Sequence, residues 1–170
     1  MDLAALLAAI EPWNGHFGFQ VGMAVLCGGI VGIERQARRK AIGIRTAILI
    51  CLATQVFIHL SRVLVEPGSA ADATRVLGQV VTGVGFLGAG VILSKGGAVH
   101  GVTSAAVVWM LAAIGSSIGV GRGFEALLLS LLVVFILIGV RRLEQVFKRL
   151  GEDSDEPEST PGEDPTQAAS

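Results

Sequence analysis

The chain has 170 residues, 52% of them hydrophobic and 16% charged, with a formal net charge of −1. Its apolar residues arrive in long blocks, which would leave a soluble domain of this length little polar surface to show to water. Two cysteines, Cys27 and Cys51, are too few for a disulfide scaffold or a structural zinc cluster. The small net charge also conceals a segregation: all 13 Lys and Arg lie within residues 1–150, and the last 20 residues hold seven of the 14 acids and no base.

In chain order, residues 2–10 (DLAALLAAI) are apolar, but nine helical residues reach only about 14 Å and cannot cross a bilayer. They lack the basic start of a secretory signal, so residues 1–16 are expected to remain as an extracytoplasmic or interfacial segment. Five later blocks have near-spanning length: 17–33, 44–65, 76–93, 102–120 and 124–140. They predict an all-α polytopic membrane protein with a five-helix transmembrane domain over residues 17–140, whose first partner is the lipid bilayer itself.

Orientation follows from the bases beside each span. Arg35, Arg38, Arg39, Lys40, Arg45, Lys95, Arg141, Arg142, Lys148 and Arg149 fall on one side, and Arg62, Arg75 and Arg122 on the other. The richer side is expected in the cytoplasm, which puts the N-terminus outside and the C-terminus inside. After the fifth span, Leu143, Val146, Phe147 and Leu150 form a stripe among cations, readable as an amphipathic cytoplasmic segment over 141–150 or as the basic end of the span. Residues 151–170 are rich in Glu, Asp, Pro, Ser and Thr and are expected to be a disordered acidic tail.

Within the spans, small and polar residues follow helical spacing. Gly18, Gly22, Val25, Gly29 and Gly32 make one face of the first span that permits close helix approach, and Gln20, Ala24, Cys27, Val31 and Glu34 run roughly opposite. Cys51, Gln55, His59 and Arg62 share a face of span two, and Asp72, Arg75, Gln79 and Thr82 follow one face at the start of span three. These placements predict an inner polar cluster of Glu34, Arg35, Lys40 and Arg45, and an outer one of Asp72, Arg75, Gln79 and His59. Glu34 reads either as a cation or partner contact or as a local ion pair with Arg38; it could also reach Arg45 across the turn. His59 reads either as a proton carrier or as a hydrogen-bonded packing residue.

Glycines are densest over residues 78–123. Gly85, Gly88 and Gly90 crowd span three, Gly96, Gly97 and Gly101 mark the inner turn, and Gly115 and Gly119 repeat at spacing four on span four. Helix packing is one reading, and a broken third helix that exposes backbone to an ion is the other. The GVGFLG stretch lacks the strand and ribose acid of a dinucleotide site, and GGAVHGVTS lacks the Gly-Lys-Ser/Thr ending of a phosphate loop. No cofactor, enzymatic activity, nucleic-acid partner or stable structural metal site is expected.

Two ordered motifs carry a family resemblance. Gly32, Glu34 and Arg35 followed by Lys40, Gly43, Arg45 and Thr46 form the first. Asp72, Arg75, Gln79, the run Gly85-Phe86-Leu87-Gly88-Ala89-Gly90, and Gly101, Thr103 and Ser104 form the second. Together they resemble the MgtC/SapB family of bacterial membrane proteins. The resemblance implies a five-span inner-membrane bundle linked to growth at low magnesium. It also implies regulation of membrane partners, including the proton-translocating ATP synthase, and of cation or phosphate homeostasis. Many members carry a cytoplasmic domain of ACT-like fold, which the sequence after residue 140 does not resemble, so functions of that domain are not carried over. Three readings follow: a modulator of magnesium or ion homeostasis or of a membrane partner, a small divalent-cation carrier or channel, and a structural helix-packing subunit. The glycine faces fit contacts within one copy or a homo-oligomer equally well.

Overall fold

The computed structural model describes residues 15–64, 73–95 and 98–152. Of the expected segments at 1–16 and 151–170, residues 1–14 and 153–170 lie outside the described residues, as does Asp72, while 15–16 and 151–152 belong to helices. The elements are α1 (Gly15–Ala37), α2 (Ile44–Leu64), α3 (Ala73–Val91), β1 (Leu93–Lys95), β2 (Ala98–His100), α4 (Val102–Gly119) and α5 (Gly123–Glu152). Each of the five helices contains an apolar stretch long enough to cross a membrane: His16–Ala37, Ile44–Val63, Thr74–Val91, Val102–Gly119 and Gly123–Leu143. Spanning continues through Glu34 and Arg35 at the end of α1, which places two ionised side chains inside the helix rather than in a loop. Where the glycine pattern suggested a plain turn, β1 and β2 pair antiparallel, with Leu93 opposite His100 and Lys95 opposite Ala98.

Close backbone approach organises residues 15–135. In a bilayer, lipid tails are as apolar as the helices, so association depends on how near two backbones can come. On α1, a Cβ added at Gly28 would stand 2.8 Å from Ile48 Cα, and one at Gly32 would stand 2.7 Å from Ile44 Cα. On α4, a Cβ at Gly115 would overlap the Cys51 carbonyl oxygen, and one at Gly119 would stand 2.7 Å from Ile58 Cβ and 2.8 Å from the Gln55 oxygen. Hence α2 is held between two glycine pairs, each at spacing four, on two different helices. Its Ala47, Cys51, Thr54, Gln55 and Ile58 are buried accordingly.

The other contacts are looser. On α3, Gly85 and Gly88 lie under the Trp109 ring of α4, at 3.9 and 3.5 Å from a Cβ position. The early turns of α5 face α1: the Gly123 position meets Phe19 and Met23, the Ser130 hydroxyl donates to the Leu127 carbonyl of its own helix at 2.8 Å, and Ala126, Ser130 and Val133 are buried at helical spacing. Residues Ile136–Glu152 continue α5 as a helical unit of their own.

The helix ends close by defined caps. The N–H of Lys40 bonds to the Arg35 carbonyl and that of Arg39 to the Gln36 carbonyl, with Arg39 in the left-handed region at φ 52. The same closure recurs after α4, where Arg122 and Gly121 donate to the Ser117 and Ile118 carbonyls and Gly121 has φ 91. The Gln36 Oε1 accepts the Ile44 N–H at 3.2 Å, so the last turn of α1 caps the start of α2.

The tight contacts predict opposite outcomes for similar substitutions. Gly28→Ala and Gly115→Ala should destabilise the detergent-solubilised protein by about 1–3 kcal/mol through overpacking. By contrast, Gly22→Ala and Gly29→Ala, whose added Cβ meets nothing within 4 Å, should be neutral or stabilising by up to about 1 kcal/mol. Denaturant titrations of the four variants would check this, and equal losses in all four would contradict the assigned contacts.

Candidate functional site

The last turns of α1 carry adjacent ionised residues that are both withdrawn from solvent. Glu34 is 8% exposed and Arg35 is 3% exposed, beneath a turn whose Ile42 is 1% exposed. Because adjacent helical positions point about 100° apart, the two side chains serve different neighbours. The Glu34 Oε1 forms an ion pair with Arg38 Nε, one turn along the same helix, and Oε2 has no hydrogen-bond partner. Arg35 instead crosses to α4, where its Nη2 donates to Ser104 Oγ at 2.6 Å, and its Nε–H has no acceptor. Burial of charge this complete is costly unless partners are fixed, so both contacts constrain how α1 and α4 meet.

Farther along the bundle, a second buried polar contact joins α1 to α2. The Gln55 Nε2 donates to Gln20 Oε1 at 3.2 Å, with Gln55 fully buried and its own Oε1 without a partner. Arg62, near the end of α2, donates from Nη1 to the Gly119 carbonyl at 3.3 Å and so caps the final turn of α4. A cavity of about 500 Å³ opens at this end, lined by His16, Phe19, Gln20, Ile118, Gly121 and Gly123. A groove of about 490 Å³ runs between α2 and α3, where Phe57, Leu60, Val80 and Val84 surround the polar Thr54, Ser61 and Gln79.

Residues 21–146 match the sequence profile of the MgtC family. The chain belongs to the MgtC family. It is 36% identical over 125 residues to protein MgtC of Brucella abortus, covering 74% of this chain and 51% of that protein. It is 38% identical over 127 residues to protein MgtC of Salmonella typhimurium, covering 75% and 53%, and 37% identical over 126 residues to an uncharacterized protein of Haemophilus influenzae, covering 70% and 52%. The chain thus spans about half the length of the curated relatives it matches, and no solved structure matches it. MgtC-family membership together with five long apolar helices makes it a multi-pass protein of the inner membrane.

The part matched to the MgtC family contains Glu34, Arg35, Arg38 and Ser104. Of the four residues expected in an inner cluster, Glu34 and Arg35 are buried, whereas Lys40 and Arg45 are exposed. The acid takes the local partner Arg38 rather than Arg45. The residues expected in an outer cluster are spread over different flanks of α2. His59 is half-buried with its ring 4.7 Å from that of Phe17, on the α1 side. Gln79 lines the groove on the α3 side, and Arg75 is exposed. Among the described residues, no group of three or more His, Cys, Asp or Glu could hold a metal ion.

The expected glycine faces divide as well. Gly32, Gly115 and Gly119 sit in tight helix contacts, and Gly85 and Gly88 lie under Trp109. Gly18 is half-buried. Gly22, Gly29 and Gly90 face open space, where an added Cβ would touch nothing within 4 Å. Four residues acquire roles that the sequence reading did not give them: Gly28, Gln20, Gln55 and Ser104. The signal for Gln20 lay in the stripe from Gln20 to Glu34 and that for Gln55 in the face from Cys51 to Arg62, because polar side chains on a lipid-embedded helix must turn toward protein.

The Glu34–Arg38 pair generates a double-mutant prediction. Arg38→Ala should destabilise the protein by about 1–2 kcal/mol, since it leaves a buried carboxylate without its cation and Arg38 itself is partly solvated. Adding Glu34→Gln should restore most of that loss. Additive losses in a thermal or denaturant cycle would show that the two side chains do not act as a pair.

Proposed function

We propose that this chain is a non-enzymatic membrane protein that modulates magnesium or ion homeostasis by binding a membrane protein partner. The observation that carries the reading is a division of labour among its surfaces. Polar groups of α1, α2 and α4 are spent on contacts between helices, namely Arg35 with Ser104, Gln55 with Gln20 and Arg62 with Gly119. At small-residue positions on α1 and α3, including Gly22, Gly29, Gly78, Gly83 and Gly90, an added Cβ would meet nothing within 4 Å among the described residues. Such positions allow a further transmembrane helix to approach closely. The partner class includes the proton-translocating ATP synthase suggested by the MgtC/SapB resemblance, and a second copy of this chain would use the same surfaces.

In this reading the N-terminus lies outside and the C-terminus in the cytoplasm, supported by the ten-to-three distribution of bases. Glu34, Arg35, Lys40 and Arg45 then mark the inner rim, and Asp72, Arg75, Gln79 and His59 the outer region. Residues 1–16, 141–150 and 151–170 flank the spanning domain as an interfacial segment, an amphipathic segment and an acidic tail. A carrier for a divalent cation is the second reading, favoured by the partner-free Oε2 of buried Glu34.

Photo-crosslinking amino acids at Gly83 and Gly90, with fully buried Ile114 as control, should trap one defined protein in native membranes from the α3 positions only. Adducts to lipid alone at both positions would reject partner binding through this face. Purified protein in liposomes should pass no magnesium, and flux abolished by Glu34→Gln would install the carrier reading instead.

A further inference from the structure

The start of α4 gathers hydrogen-bond donors without acceptors. Its N-cap is Gly101, held at φ 93 and ψ −3, which has no side chain with which to cap the helix. The first N–H to bond back is that of Ala105, to the Gly101 carbonyl at 2.9 Å. The N–H groups of Val102, Thr103 and Ser104 therefore carry the positive end of the helix with no acceptor among the described residues. A side chain at 101 could not remedy this, because its Cβ would overlap the Val91 carbonyl oxygen.

Into this positive end α1 directs a cation. Arg35 is 3% exposed, donates from Nη2 to Ser104 Oγ, and keeps an Nε–H with no acceptor. Among the described residues the guanidinium forms no ion pair, and its neighbour Glu34 forms its own with Arg38. Ser104 is also buried; it accepts from Arg35, and its hydroxyl proton reaches no acceptor among the described residues. A cation at a helix N-terminus is the reverse of the arrangement the helix dipole favours, and the carboxylate that acts on Arg35, Glu34, is already shared with Arg38. Both conflicts are resolved by one anion.

We propose that the first turn of α4 and Arg35 form a binding site for a phosphate group. The N–H groups of the first turn and the Ser104 hydroxyl are the donors, and Arg35 behind Ser104 supplies the charge. A tetrahedral oxyanion with several acceptors suits donors that converge from a helix end, a hydroxyl and a guanidinium. Access is available because His100, Val102 and Thr103 are exposed. The site also lies at the very edge of the Val102–Gly119 span, the depth of phospholipid phosphates. A phospholipid headgroup and free phosphate share this chemistry.

The test uses the full chain. Calorimetric titration with inorganic phosphate in detergent forms one arm, and native mass spectrometry after release from phosphatidylglycerol nanodiscs forms the other. At least one arm should show a single saturable site, weakened about tenfold or more by Ser104→Ala and lost in Arg35→Gln. Arg35→Lys should keep part of the affinity. Binding of phosphate alone assigns a soluble anion, retention of one phosphatidylglycerol alone assigns a lipid, and either result supports the site. Because Arg35→Gln can impair folding, Ser104→Ala, checked by circular dichroism and melting, is the deciding variant. Absence of saturable binding in both arms, or equal affinity in Ser104→Ala and the unmodified chain, overturns the proposal.

Discussion

Helix α2 touches the backbones of two neighbours at once, through Gly28 and Gly32 of α1 and through Gly115 and Gly119 of α4. In water, such a core could be assembled by apolar burial alone. Within lipid that driving force is absent between helices, and contact depends on dispersion at short range and on hydrogen bonds between spans. The glycine pairs supply the first condition. They also bring the second within reach, since Gln55 meets Gln20 and Arg62 meets the Gly119 carbonyl only when α1 and α4 press closely on α2.

The same packing accounts for the placement of charge. Arg35 is three residues from Gly32, so the turn that brings α1 against α2 also carries the guanidinium to the start of α4. Ser104 can receive it because α4 begins right after a glycine, in a conformation that turns the chain sharply from β2 into the helix. Glu34, one position earlier, points toward Arg38 and leaves Arg35 to its cross-helix contact. Adjacent opposite charges thus take different direct partners: one ion pair is local to α1, and one hydrogen bond spans the bundle.

That there are five long apolar helices was legible in the sequence because each is a long apolar block bounded by charge or glycine. On α4, which is rich in Ala and Ser as well, the two positions without any side chain, Gly115 and Gly119, are the ones pressed against α2. On α1 the choice was harder. Glycines at 18, 22, 28, 29 and 32 permit more than one close-approach face, and spacing alone does not select between them. The deciding information lay in polar side chains: Gln20 and Glu34 must turn toward protein, and the buried face of Ala24, Cys27, Val31 and Gly28 goes with them. The short hairpin at 93–100 had a signal in the Gly96-Gly97 pair between its strands, which the glycine-rich context masked. His59 and Gln79 looked like one outer group because each lies on a polar stripe of its own helix. Which flank of α2 a stripe faces depends on helix order around the bundle, and a sequence period does not contain that order.

Helix α3 is the span least constrained by these rules. Its contact with α4 rests on Trp109 over Gly85 and Gly88 at ordinary van der Waals distance, without the backbone approach seen at α2. Its Phe86 is 81% exposed, and Gly78, Gly83 and Gly90 are open. At one end, however, α3 is tied firmly: the hairpin and Gly101 return the chain onto the Val91 carbonyl and into α4. The span is thus anchored at the hairpin end and packed at ordinary van der Waals distance along its length. The anchored end is also where α4 begins, so the Arg35–Ser104 contact and the attachment of the most exposed span share one end of the bundle.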